Sequence, residues 1–272
     1  FTLTLNASIP ASAPRPDALP WRELGIDVAI EASGACPSAL DVRGHLAAGA
    51  RKSIVTAACP DADFTVIYGV NDDGYDDRRH HVVAADTETT NALAVVLSAL
   101  LETFPLERAL VTSVHAYTNA QKLIDATDVD LRRARSAPVS IVPTTSRAAV
   151  AVSTFVPALA GRLAGYSVRV PVSVVSVLDI VVKLGETADP ERINAALRQA
   201  AKGRLGRVLA VSDEPLVSTD FRGCRHSAVV DAPLTMGIGP LAKLSAWYDN
   251  EWGYSNRVAD VTAMVAAGLE SE

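Results

Sequence analysis

Along the first hundred residues, apolar positions alternate between short β-branched runs and longer helical stretches. Val28-Ala-Ile30 and Ser53-Ile-Val-Thr56 are strand-like, and the alanine- and leucine-rich stretch from Ala39 to Ala50 between them predicts a helix, the signal of a βαβ unit. Phe64-Thr-Val-Ile-Tyr68 and Val82-Val83 add two strands. Thr90 to Thr103 then predicts a helix with Leu93, Val96, Leu97, Leu100 and Leu101 at apolar positions. Phe1 to Leu5 predicts a strand that precedes all of these, and the Pro/Ala-rich Ala11 to Pro20 a surface loop. After Leu110 the texture changes: Ala109 to Val114, Ser167 to Val172 and Val174 to Leu184 are longer strand-like runs with fewer helices between them. Asp189 to Ala201 predicts a helix with Pro190 in its first turn, where a missing N–H costs nothing, and Ala259 to Leu269 predicts a closing helix. The fold class expected is α/β: a partial doubly wound, Rossmann-type domain followed by an α+β domain with a mostly antiparallel sheet.

Thr118 to Ser140 breaks this pattern. It is irregular, contains the charged run Asp128-Val-Asp-Leu-Arg-Arg-Ala-Arg135, and exceeds the usual connection of about 4–6 residues. A solvated face explains the charges alone; the length points to packing on a partner subunit or to a site.

Charge and composition narrow the function classes. Among 272 residues 49% are apolar and 21% charged, as in soluble globular enzymes, and the net charge of −6 leaves no basic excess for nucleic acid or an anionic membrane surface. A small metabolite is the default partner. The three cysteines, Cys36, Cys59 and Cys224, show no C-x-x-C pairing and no metal-ligand spacing, which fits a reducing compartment and predicts no metal. No run of about 18 uncharged apolar residues and no signal pattern is found, so a soluble, cytoplasmic protein is expected.

Several blocks carry a resemblance: Leu19-Pro-Trp-Arg-Glu-Leu-Gly25, His45-Leu-Ala-Ala-Gly-Ala-Arg-Lys52, Val114-His-Ala-Tyr-Thr-Asn119, Asp130-Leu-Arg-Arg-Ala-Arg135, Arg169-Val-Pro171, Glu214-Pro-Leu-Val-Ser-Thr-Asp-Phe221 and Trp247-Tyr-Asp-Asn-Glu-Trp-Gly-Tyr-Ser-Asn-Arg257. Together they resemble the glyceraldehyde-3-phosphate dehydrogenase family from Phe1 to Leu269. The resemblance implies a dinucleotide-binding domain over residues 1–87, incomplete at its start, a catalytic domain over 88–257, and a C-terminal helix over 258–272 returning to the first domain. It also implies a homotetramer in which the stretch from Thr118 to Ser140 is a loop near the cofactor and across a subunit interface. No G-x-G-x-x-G occurs in the sequence. NAD is therefore the expected cofactor on condition that the family's N-terminal glycine-rich segment is present in the native protein, and the choice of NAD over NADP is left open.

One position departs from the family's chemistry. Where the family has Ser-Cys-Thr-Thr-Asn around its nucleophile, this chain has Thr87-Glu-Thr-Thr-Asn91, so Glu88 stands in place of the catalytic thiol. A carboxylate is a poor nucleophile toward an aldehyde. His115 matches the family's base, and a Glu88–His115 pair is expected, suited to proton transfer. By resemblance, Thr118 and Arg169 hold a substrate phosphate. Ser146 and Arg147 fall where the second anion site lies, with Arg147 in place of a glycine and expected to add charge and bulk there, either to bind a larger anion or to fill the site; Thr87 and Thr89 are expected among the substrate- or anion-binding residues. Ser33 and Gly34 match a turn beside the dinucleotide, and Asn250 and Tyr254 match residues around the nicotinamide. None of the cysteines is an obvious replacement nucleophile.

Three functions fit this reading: an enzyme of this oxidoreductase family binding a small phosphorylated or anionic metabolite and using Glu88 and His115 for acid–base chemistry in place of thioester redox catalysis; a non-catalytic binding or regulatory homologue; and an NAD-dependent aldehyde oxidoreductase acting without a cysteine thioester.

Overall fold

The computed structural model describes residues 15–36 and 38–270, so the expected strand at Phe1 to Leu5 and the first part of the loop from Ala11 lie outside the described residues. The chain divides into two units, the first comprising residues up to 66, 75–86 and 261 onward, the second residues 67–74 and 87–260.

In the first unit, α1 (Trp21–Leu24) leads to β1 (Val28–Glu31), α2 (Ala39–Ala47), β2 (Lys52–Val55), β3 (Phe64–Thr65) and β4 (Val82–Ala84). These strands form a parallel sheet in the order β1-β2-β4-β3. Because successive side chains on a strand point to opposite faces, Val55, Val82 and Ala84 pack with Ala39 and Val42 of α2, while Ile54 and Val83 pack with Val261 and Val265. Helix α2 ends at Ala47, three residues short of the expected Ala50. Gly49 takes φ +120°, and a Cβ there would meet the backbone of Arg22. The strand expected over Phe64 to Tyr68 covers two residues only, since the Ile67 N–H donates to Asn71 Oδ1 at 2.7 Å and turns the chain.

The second unit contains α3 (Glu88–Leu101), β5 (Leu106–Ala116), β6 (Val142–Thr145), α4 (Ala148–Phe155), β7 (Leu163–Val170), β8 (Ser176–Leu184), α5 (Pro190–Lys202), β9 (Leu209–Ser212), β10 (Ala228–Asp231), β11 (Met236–Ile238) and β12 (Leu241–Tyr248). Its last helix, α6 (Trp252–Glu270), also supplies Val261 and Val265 to the first unit. The sheet runs β6-β7-β5-β8-β12-β10-β9 with β11 beside β12, antiparallel except at the β5–β7 and β9–β10 pairs. Helix α3 is buried along nearly its whole length against this sheet, which makes it the central core helix of the unit.

Three further boundaries differ from expectation. Helix α3 starts at Glu88, not Thr90, because the Thr87 side chain caps it by accepting from the Thr90 N–H. Strand β8 starts at Ser176, not Val174, because Val175 takes φ +70°, a strained value for a β-branched residue. Helix α6 starts at Trp252, seven residues ahead of Ala259, because Asp249 accepts from the Glu251 and Trp252 N–H groups at 2.9 and 2.8 Å. No helix among the described residues is long and apolar enough to cross a membrane.

Candidate functional site

Glu88 is the first residue of α3, where helix N–H groups and the helix dipole favour an anion. His115 lies near the end of β5 and is buried. The two meet with Nε2 and Oε1 2.8 Å apart. The other ring nitrogen, Nδ1, lies 2.6 Å from the carbonyl of Ala116, an acceptor only, so Nδ1 carries a proton and donates it. A second proton lies between Nε2 and Oε1. Burial by itself raises the Glu88 carboxyl, but the hydrogen bond and charge of His115, the backbone N–H of Glu88 and the charge of Arg169 outweigh it and hold the group below the ordinary carboxylate range. The pair thus shares one proton across the Nε2–Oε1 contact, beyond the one held on Nδ1. A quarter of the Glu88 side-chain surface stays open.

The β5–β7 register sets Arg169 directly beside His115. Arg169 donates from Nη1 to the same Ala116 carbonyl at 3.2 Å, and its buried Nε has no hydrogen-bond partner among the described residues. Burial pulls this guanidinium below its usual range; Tyr248 and Glu88 oppose that shift and Arg133 adds to it. Glu88 opens onto a cleft of about 710 Å³ lined also by Tyr117, Thr118, Gln121, Ser173 and Asn250 among others. That volume is within the range of small-molecule sites, roughly 300–1,000 Å³.

The remaining expected residues divide. Thr118 and Asn250 reach the cleft, but Thr118 donates its N–H and hydroxyl to Gln121 Oε1 at 2.8 and 3.1 Å, and Asn250 Oδ1 accepts from Ser176 at 3.2 Å. Thr87 caps α3, and Thr89 is bonded to the buried Tyr248 hydroxyl at 3.0 Å. Thr89 and Ser146 instead border a second, very small cavity of about 10 Å³. Arg147 precedes α4, is exposed and lines neither of these cavities. Tyr254 is half-buried in the first turn of α6.

In the first unit, Gly34 takes φ +72° with open space where a Cβ would point, so glycine is there for its backbone and not for crowding. Ser33 donates both its N–H and its hydroxyl to Glu31. Burial pushes the Cys36 thiol up to about 11, aided by the Glu31 charge, and burial with a hydrogen bond to Asp61 does the same for Cys59. Both thiols are thereby kept protonated and weakly nucleophilic.

Two residues near the pair escaped sequence reading. Tyr248 packs edge-on to His115 with ring centroids 5.9 Å apart, and burial, then the Glu88 charge, push its hydroxyl up to about 12, keeping it neutral. Arg133 donates to Thr144 and contributes a second positive charge near Arg169. The charge run on 128–135 was visible, but which of its arginines turns inward was not.

Residues 88–250 match the family described as glyceraldehyde 3-phosphate dehydrogenase, C-terminal domain. Among curated proteins, the glyceraldehyde-3-phosphate dehydrogenase of Geobacillus stearothermophilus is 46% identical over 253 residues, covering 93% of this chain and 76% of that protein. Glyceraldehyde-3-phosphate dehydrogenase 2 of Bacillus subtilis (strain 168) is 48% identical over 256 residues, covering 94% of this chain and 75% of that protein. The Mycobacterium avium glyceraldehyde-3-phosphate dehydrogenase is 46% identical over 254 residues, covering 93% and 75%.

Proposed function

The chain belongs to the glyceraldehyde-3-phosphate dehydrogenase family, and on that premise we propose that it binds a small phosphorylated or anionic carbonyl metabolite, with NAD, and that Glu88 and His115 perform general acid–base chemistry in place of a cysteine thioester. The observation that carries this reading is the 2.8 Å contact between His115 Nε2 and Glu88 Oε1, with one proton between them, at the edge of an open cleft. A proton taken from the substrate goes to the Glu88 carboxylate, and the proton on His115 Nε2 is available for the developing oxyanion, so charge is conserved through the step. The positive charge of Arg169 behind this pair supports an anionic group on the substrate, as does Thr118, which lines the cleft.

Within each unit taken by itself, one feature supports a dinucleotide: in the first, the turn at Ser33–Gly34 with Gly34 at positive φ, and in the second, the Asn250 amide on the cleft. By family resemblance, Ser33 and Gly34 in the first unit and Asn250 and Tyr254 in the second would hold it. NAD supplies a hydride acceptor when bound. The exposed apolar side chains Leu123, Ile124, Val129 and Leu131 on the loop from Thr118 to Ser140 support a homo-oligomer, a tetramer by family, in which this loop is covered.

The test is an assay at 340 nm with NAD, glyceraldehyde 3-phosphate and phosphate on wild type, Glu88→Gln and Glu88→Cys, beside calorimetric binding of each ligand. Ligand binding with no phosphate-dependent NADH from wild type supports the proposal. NADH formation that survives in Glu88→Gln contradicts it. A second reading, binding without turnover, is favoured by one observation: both nitrogens of His115 already have partners within the chain. It predicts that Glu88→Gln leaves every measured property but affinity unchanged.

A further inference from the structure

The first unit holds a second carboxylate–histidine pair, and its partners give it a different task. His45, on α2, and Glu31, at the end of β1, are 4% and 7% exposed. Their Nε2 and Oε2 atoms lie 2.9 Å apart. On the far side of the ring, Trp21 Nε1 lies 3.0 Å from His45 Nδ1. An indole N–H can only donate, so Nδ1 carries a lone pair and the single ring proton sits on Nε2, facing Glu31. Oxygen Oε1 of the same carboxylate accepts the Ser33 N–H at 2.7 Å and the Ser33 hydroxyl, and Oε2 also receives the Cys36 thiol at 3.4 Å. Four donors thus occupy the four lone-pair directions of one ionised carboxylate. Ser33 Oγ in turn accepts the Ala35 N–H at 3.1 Å, closing the turn around Gly34.

We propose that Trp21, His45 and Glu31 form a positioning relay, with His45 fixed as its Nε2–H tautomer, that holds the Ser33–Gly34 turn in the shape that receives the dinucleotide. The inference rests on the cofactor reading for its ligand and on the first unit alone for its geometry. Polarity runs one way along the chain, from the indole N–H through the imidazole to the carboxylate, and the carboxylate then fixes two donors of Ser33. With its hydroxyl proton held by Glu31, Ser33 offers no donor outward, so the turn meets a ligand through its main chain. Loss of any link frees Glu31 to rotate and loosens the turn.

The experiment compares wild type, His45→Ala, His45→Gln and Trp21→Phe by amide hydrogen exchange over residues 31–36 and by calorimetric titration with NAD and, separately, with inorganic phosphate. Glutamine can accept through Oε1 and donate through Nε2 as this tautomer does. The expected result is exchange at Ser33 to Cys36 faster by about tenfold or more in His45→Ala, a similar loss of NAD affinity and unchanged phosphate affinity, as for loss of a buried hydrogen bond. His45→Gln restores both, and Trp21→Phe falls between. Unchanged exchange in His45→Ala, or a glutamine variant no better than alanine, overturns the relay. Should His45→Ala fail to fold, Trp21→Phe, which keeps a ring and loses only the N–H, decides on the same exchange readout. A wild type that binds no NAD contradicts the cofactor reading, and the exchange data then judge the relay by themselves.

Discussion

The two carboxylate–histidine pairs of this chain are nearly equal in length, 2.8 Å for Glu88–His115 and 2.9 Å for Glu31–His45, yet their proton content differs. Behind His115 stands a carbonyl, which requires a proton on Nδ1; behind His45 stands an indole N–H, which forbids one. Glu88 keeps a quarter of its side-chain surface open, whereas every lone pair of Glu31 is taken and the group is sealed. The lesson is that the pair as such has no function. What faces the second ring nitrogen, and whether a carboxylate oxygen reaches open space, decide whether it moves protons or holds backbone.

The largest break in this comparison comes from Glu88→Gln, which keeps shape and removes the base. Turnover of any proton-transfer substrate is expected to fall about 10²–10⁴-fold while phosphate affinity moves by a small factor, read from initial rates beside calorimetry. On the sealed pair the cost appears as stability instead. His45→Ala leaves a buried carboxylate without its main partner and is expected to cost about 3–5 kcal/mol in denaturant unfolding. By contrast His115→Ala, whose Glu88 partner can be hydrated from the cleft, is expected to cost clearly less. Trp21→Phe removes one neutral hydrogen bond and is expected to cost about 1–2 kcal/mol, seen as a lower denaturation midpoint.

The smallest effect is in acid. Glu31 and Glu88 are both held below the usual carboxylate value of 4.5, each by hydrogen bonds that outweigh burial. A depressed folded-state pKa stabilises the protein above the unfolded value and ceases to as pH falls through the folded one. Stability should therefore decline as pH drops below about 4.5, and the Glu88→Gln variant should show a shallower decline in pH-dependent urea unfolding, with the Glu31 share left intact.

Much of this was legible in the chain and some of it was not. The alternation of strand and helix before Thr103 identified the α/β unit, and Thr87-Glu-Thr-Thr-Asn91 with His115 anticipated the Glu88–His115 contact, because local runs and a near-complete motif carry their own context. The early start of α3 was missed although Thr87 is a good capping residue, since the apolar run that marks the helix begins only later. The positive φ of Val175 and the inward turn of Arg133 have no local signal, being imposed by tertiary packing. Arg147 stands where the family has a glycine and was expected to add charge and bulk at an anion site; its side chain is exposed and borders neither cavity. The Glu31–His45 pair was out of reach because its two residues lie on separate elements and neither stands out by type.

Solvent-deuterium incorporation into glyceraldehyde 3-phosphate, followed by proton NMR in D₂O for wild type and Glu88→Gln with substrate affinity measured for both, tests the acid–base claim most directly. Wild type is expected to incorporate deuterium across a bell-shaped pH range, and the variant to lose incorporation at little-changed affinity. Wild type that binds the substrate and leaves its carbon-bound protons unexchanged, or equal incorporation by the variant, contradicts the acid–base claim.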